Sequence, residues 1–314
     1  MKYLYVLVSN SNDYYSEQCF ISVYSLKQKT PNAFVALLMD SDTNNYLQKD
    51  FPQLLESVNE IKTVDVNTTS NKEKSRILKT SMRKYIDGDF LFIDCDTVIC
   101  DDLSEIEKCE YNIGAVLDNH IQLNSHWQKK NIIQNYQKCG FVEVVKSDLH
   151  YNSGVIYCKD NAETHSFFSD WYSLWEKNKC NGVIIDQPSF NQASVLNNNI
   201  IKTLSDSWNC QILCGGIKYY RTAKIIHYFA SFHSKHSLFT IDSSAVYDEI
   251  RHSKKVTNNI HNKLLNTSLL IEDNCTLISG IIPRGMILSI NAHPKIYYYL
   301  YKLLHILNIT KIFK

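Results

Sequence analysis

The sequence has almost no net charge, with 33 Lys and Arg against 32 Asp and Glu in 314 residues. A chain so balanced offers no broad basic face for a nucleic acid, so any anionic ligand must be gripped locally. Glycine and proline are scarce, at 9 and 5 residues, and no low-complexity linker or internal repeat is visible. No apolar run reaches the ~20 residues that cross a bilayer. The opening run, residues 3–8, is also too brief for a secretory signal, so a cytoplasmic location is expected. The ten cysteines are scattered singly, without a Cys-x-x-Cys pair or a His-Cys cluster at zinc spacing. Cys19, Cys158 and Cys275 sit among apolar neighbours and read as reduced, buried thiols. No Gly-rich phosphate loop follows the first apolar run, which argues against nucleotidyl transfer.

Periodicity is what the chain does have. Short apolar runs at residues 3–8, 34–39, 61–66 and 90–93 alternate with helical patterns at 16–28 and 73–85, which implies crossover units. Further runs at 113–117 and 154–157 extend the sheet, and residues 162–177 read as an aromatic-rich packing helix. The expected fold is α/β, a mostly parallel central sheet flanked by helices, with a C-terminal helical appendage. The main domain is placed at residues 1–240 and the extension at 241–314. In such sheets ligands bind where loops leave the carboxyl ends of the strands.

At one of those ends Phe90-Leu91-Phe92-Ile93 runs directly into Asp94-Cys95-Asp96-Thr97. Two carboxylates leaving a buried strand are costly unless a cation neutralises them, and a hard divalent ion with oxygen ligands is the natural partner. A turn or helix cap is the plain alternative, and Asp102 suits that role better. The same string also fits a haloacid-dehalogenase-type phosphatase with Asp94 as nucleophile. About ninety residues precede the pair, however, and no later acidic metal motif follows it. A non-catalytic sugar-binding module is a third possibility.

Several segments, taken in order, resemble glycosyltransferase family 8, whose members are retaining enzymes of the GT-A fold that use nucleotide sugars. Val8-Ser9-Asn10-Ser11-Asn12-Asp13-Tyr14 resembles the loop that holds uridine, with Asp13 toward the base and Tyr14 available to stack. Ser75-Arg76-Ile77-Leu78-Lys79 is similar to the basic helix facing the donor phosphates, with Arg76 and Lys79 on adjacent turns of one face. A solvated basic face explains that segment too, since Lys72, Lys74 and Arg83 are nearby. Ala115-Val116-Leu117-Asp118 resembles the strand whose terminal aspartate contacts the sugar. Tyr151-Asn152-Ser153-Gly154 matches the family's aromatic-Asn-Ser-Gly motif, read as a small turn that brings Asn152 and Ser153 to the sugar. Asp186-Gln187 matches the pair that opens a helix on the acceptor side, although Asp186 could be an ordinary N-cap. Ile225-Ile226-His227-Tyr228 fits the strand whose histidine completes the metal site. Beyond it the family's Gly and Lys-Pro-Trp are replaced by residues 229–236, where Lys235 is the candidate phosphate contact and His233 and His236 compete as ligands.

The resemblance implies a hexosyltransferase that holds manganese or magnesium on Asp94, Asp96 and His227. Its donor would be a UDP-sugar bound by Asp13, Tyr14, Arg76, Lys79, Asp94, Asn152, Ser153 and Lys235. Asp118, Asp186 and Gln187 would stand at the reacting centre, and the acceptor would be a glycan or a lipid-linked precursor. Residues 122–150, with Trp127, Lys129 and Lys130, form a candidate acceptor loop that an amphipathic helix would explain equally well. Residues 295–314 carry four lysines and no acid, and they pattern as an amphipathic helix with a narrow polar stripe. Such a helix suits peripheral contact with the inner face of a membrane, or packing against the catalytic domain.

Overall fold

The computed structural model describes residues 1–212, 214–228 and 241–265. β1 (Lys2–Leu7), β2 (Phe34–Asp40) and β3 (Glu60–Val64) pair in parallel, joined by α1 (Tyr15–Lys29) and then by α2 (Ser41–Asp50) with α3 (Pro52–Glu56). α4 (Asn71–Thr80) crosses back to β4 (Phe90–Ile93), which lies on the other side of β1. A short β5 (Thr97–Ile99) then leaves the sheet. β6 (Ile113–Leu117), α5 (Lys129–Lys138), α6 (Glu143–Lys146), β7 (Tyr151–Cys158), α7 (Ala162–Cys180), α8 (Gln187–Leu196) and β8 (Ile201–Thr203) follow. The seven strands run β3-β2-β1-β4-β7-β6-β8, and only β7 opposes its neighbours. The expected α/β class and mostly parallel sheet are therefore observed.

Alternate strand residues sort onto two cores, as the period of two dictates. Tyr3, Tyr5, Leu7, Val35 and Leu37 pack with α1 on one face. Leu4, Val6, Ala36, Phe90 and Phe92 pack on the other, against Leu78, Phe167, Trp171 and Phe190 from α4, α7 and α8. α7 starts where it does because Asn161 and Thr164 form a reciprocal capping box. Two of the basic residues that suggested a solvated face as the alternative, Lys74 and Arg83, are buried. Lys74 pairs with Asp40 at 2.8 Å, and Arg83 lies 4.6 Å over the Phe90 ring and donates to the Gly88 carbonyl. These two cations thus act as internal braces.

β5 forms a second, three-stranded sheet with β10 (Ile225–His227) and β9 (Cys210–Gln211), in the order β5-β10-β9. α9 (Ser244–Ser253) and α10 (Asn258–Leu265) lie against the first core, where Ile241, Val246, Tyr247, Ile250, Ile260 and Leu264 are buried. Residues 241–265 thus share the core of the preceding unit. Lys235, His233, His236, Cys275 and residues 295–314 lie outside the described residues.

Candidate active site

The carboxyl ends of β1, β4 and β6 open on one edge of the sheet. Because β7 runs the other way, its first residues meet them there. Tyr151-Asn152-Ser153-Gly154 is thus the opening of a buried strand and not the turn its composition suggested. Antiparallel pairing with β4 sets Val155 beside Ile93, and Asp94 continues the ladder by donating its amide to Gly154 O at 2.8 Å.

Asp94 and Asp96 sit between the two sheets. β5 begins immediately after them and pairs with β10 so that Thr97 faces His227; the Tyr228 amide then donates to Asp96 O at 3.0 Å. This pairing, between residues some 130 positions apart, carries His227 to the aspartates. Its Nε2 lies 3.2 Å from Asp96 Oδ1 and 3.9 Å from Asp94 Oδ2. One ligand atom from each of the three residues falls within 4.8 Å of the others. Burial disfavours the imidazolium, but the facing Asp96 and Asp94 outweigh it and raise the His227 pKa. Burial likewise raises Asp94, with Lys79 opposing. Oxygen ligands with one imidazole nitrogen suit Mn or Mg, and the crowding of negative charge is what such an ion would relieve.

α4 presents Lys79 and Arg76 to the same edge. Lys79 Nζ is 3.1 Å from both oxygens of Asp94 and 3.6 Å from Asp186 Oδ2. Arg76 Nε pairs with Asp186 Oδ1 at 2.8 Å, and Ser153 Oγ donates to Asp186 Oδ2 at 2.8 Å. Asp186 occupies the N-cap position of α8 without capping it. Its carboxylate is turned away to the cations, so the local cap explanation fails. Burial raises its pKa, but Lys79, Arg76 and Ser153 outweigh burial and bring it down to about 2.

Asp118 directly follows β6, and after it come Asn119 and His120 with φ of 54° and 59°. Two successive left-handed residues are costly away from glycine, and Asn is among the residues that bear such a conformation best. The kink leaves Asp118 buried, accepting from Asn152 Nδ2 at 3.0 Å, Asn119 Nδ2 at 2.8 Å and His126 Nε2 at 3.0 Å. These bonds and the neighbouring histidines overcome burial and hold the carboxyl far below its usual range. Gln187 Nε2 meets His150 Nε2 at 2.9 Å, and His150 Nδ1 meets Tyr136 OH at 2.6 Å. Burial lowers the His150 pKa to about 4. Residues 122–150 contain two helices, α5 and α6, over a small separate core that includes Leu123, Ile132 and Tyr136 and is shared with Val183.

In the first loop, Asp13 turns its carboxylate inward, accepting from Ser9 Oγ at 2.5 Å, Asn10 N at 3.1 Å and Tyr15 N at 3.2 Å. Tyr14, the residue expected to stack on the base, packs against α9. Its ring lies 4.6 Å from the Arg251 guanidinium and 5.4 Å from Tyr247, and its hydroxyl donates to Asp248. The adjacent ring, Tyr15, is 39% exposed and is the one that feels Asp96 and Arg76. Tyr15, His126, His150 and Asn209 were not singled out from the sequence. None belongs to a short motif, and only the folded chain brings them to this edge.

The fold thus places an Asp-Asp-His cluster and a basic helix at the carboxyl edge of a mostly parallel sheet, as a GT-A glycosyltransferase would. Residues 6–235 match the family model described as glycosyl transferase family 8, and the chain belongs to that family. No curated protein matches the chain. Its fold is similar to that of the galactosyltransferase LgtC in complex with donor and acceptor sugar analogs (TM-score 0.54, 16% identity, covering 84% of this chain and 100% of that one). It is also similar to mouse xyloside xylosyltransferase 1 in its apo form (TM-score 0.50, 13% identity, 73% and 98%). The glycosyltransferase GlyE of Streptococcus pneumoniae shares it too (TM-score 0.50, 15% identity, 86% and 65%). Family membership supports sugar transfer over the phosphatase reading. Among the described residues, no helix is long and apolar enough to cross a membrane.

Proposed function

We propose that the protein transfers a hexose from a UDP-sugar to a glycan or lipid-linked acceptor, with retention of anomeric configuration and with manganese or magnesium. The observation that carries this reading is the convergence of Asp94, Asp96 and His227 beside Lys79 and Arg76. When bound, the divalent ion supplies positive charge to the diphosphate leaving group. Asp94, Asp96 and His227 would hold it.

Lys79 and Arg76 are held by acids at this edge and are positioned to take up phosphate oxygens, as paired cations do. Lys235 is a further candidate for that role on sequence alone. Asp13 braces the first loop, and of the two tyrosines beside it Tyr15 is the better platform for the uracil, because Arg251 and Tyr247 cover Tyr14. Asn152, Ser153 and Asp118 would meet sugar hydroxyls. Asp186 stays ionised down to about pH 2, so it would act by its charge, opposite positive charge developing at the anomeric carbon, and not by moving a proton. Gln187 would stand on the acceptor side. Departure of UDP and attack of the acceptor hydroxyl on one face of the sugar would give retention.

A panel of UDP-hexoses with Mn²⁺, followed by ¹H NMR of the first-formed glycosidic bond, tests the reading. Transfer with unchanged anomeric configuration is expected. An inverted product, or release of phosphate from a simple aryl phosphate in place of transfer, would overturn it.

A further inference from the structure

Asn209 is fully buried, and nothing in the reaction described above uses it. It precedes β9, and its side chain bridges two parts of the site. Asn209 Oδ1 lies 3.0 Å from His227 Nδ1, and Asn209 Nδ2 donates to Asn152 Oδ1 at 2.9 Å. Asn152 Oδ1 also accepts from the Gly154 amide at 2.9 Å, and Asn152 Nδ2 donates to Asp118 Oδ1 at 3.0 Å.

Both ends of this chain have fixed polarity. The Gly154 N–H can only donate, so the Asn152 atom facing it is oxygen. An ionised Asp118 can only accept, so the Asn152 atom facing it is nitrogen. Two independent partners thus orient the Asn152 amide in the same sense. Its oxygen then demands a donor from Asn209, which must present its NH₂ to Asn152 and its carbonyl oxygen to His227. A carbonyl oxygen accepts, so the His227 Nδ1 facing it must carry a proton.

We infer that Asn209 is a positioning residue that fixes a proton on His227 Nδ1, so that Nε2 is the ring nitrogen turned to Asp94 and Asp96. Ligating histidines depend on a partner at the other ring nitrogen for orientation and tautomer, and here a neutral amide fills that role. Gly154 supplies the floor. A Cβ there would stand 2.3 Å from His227 Cε1 and 2.8 Å from Nδ1, so the ring lies directly on the β7 backbone. The Asp118–Asn152–Asn209–His227 chain thereby joins the carboxylate proposed for the sugar to the imidazole proposed for the metal.

The inference rests on the metal-site reading only where it concerns ligation, and the test separates the two. Long-range ¹H–¹⁵N correlation of histidine-labelled protein, at a pH where the His227 ring is neutral, should show the proton on Nδ1. A proton on Nε2 would overturn the assignment without any variant. Mn²⁺ affinity, read by EPR on the full chain, should fall roughly 10–100-fold in Asn209→Leu. Asn209→Asp keeps an acceptor for the Nδ1 proton but turns an oxygen on Asn152 Oδ1, so its loss should be smaller than that of Asn209→Leu without reaching wild-type affinity. Unchanged affinity in a folded Asn209→Leu would contradict the positioning role. Wild-type protein with the proton on Nδ1 but no Mn²⁺ binding would overturn the metal reading while supporting the tautomer assignment.

Discussion

Lys79 is 5% exposed and stands between Asp94 and Asp186, so one ammonium serves two carboxylates that burial alone would disfavour. Removing it leaves both with less compensation, although Arg76 still holds Asp186. Breaking a buried ion pair from one side costs about 3–5 kcal/mol. Lys79→Met should approach that range in urea unfolding at pH 7, and a change below about 1 kcal/mol would mean that the pair is solvated. Gly154 makes a second residue-scale prediction. Gly154→Ala should weaken Mn²⁺ binding at least tenfold by pushing the His227 ring off β7, as calorimetry would show. Full retention of affinity would mean that the ring is not seated on the strand.

At the scale of elements, α9 links the end of the described chain to its beginning. Arg251 pairs with buried Glu17 at 2.7 Å, donates to the carbonyls of Ser11 and Asp13, and stacks on Tyr14. The first loop, proposed above to hold the nucleotide, is therefore braced by a helix more than 230 residues away in sequence. Arg251→Ala should cost about 2 kcal/mol of stability, for the charged hydrogen bonds lost at Glu17, and weaken UDP binding several-fold. Calorimetry on the folded variant checks the second effect, and unchanged UDP affinity would show that the loop keeps its shape without the brace.

The same element shows where sequence reasoning stopped. The contact of Tyr14 with Arg251 and Tyr247 was not legible, because no local pattern links residue 14 to α9. The runs that became β1, β2, β4 and β6 were legible because a buried parallel strand is a continuous apolar run. The aromatic-Asn-Ser-Gly segment was legible as a motif but not as a strand opening, since Asn, Ser and Gly are poor strand formers. They form one here because β4 and β6 pair with β7 on both sides. Asp94, Asp96 and His227 were named from sequence because the resemblance kept their order, whereas Asn209 appears only once β9 and β10 are side by side.

Across the whole molecule, acid should remove stability in two pH windows. Unfolded His150 takes up a proton near pH 6.5, while the buried ring resists until about pH 4. The unfolded state thus binds more protons in that window, and stability falls as pH drops through it, by on the order of 3 kcal/mol. Asp186 is depressed from 3.8 to about 2, so its contribution, present above 3.8, is lost below that. Subtracting urea midpoints of His150→Gln from wild type at pH 7 and pH 4.5 should isolate the first window, and identical pH slopes would show that His150 is not held neutral. Residues 295–314 bear on the whole molecule in another way. If they hold the protein at a membrane, the full chain should sediment with anionic liposomes and a chain ending at residue 294 should not.

Donor binding through a metal is the central claim, and calorimetry of UDP with the full chain tests it most directly. Wild type with saturating Mn²⁺ should bind UDP at least tenfold more tightly than the chelator-treated protein, and Asp96→Ala should lose that difference. Equal UDP affinity with and without metal, or a metal dependence that persists in Asp96→Ala, would contradict the assignment of Asp94, Asp96 and His227 as the ion's ligands.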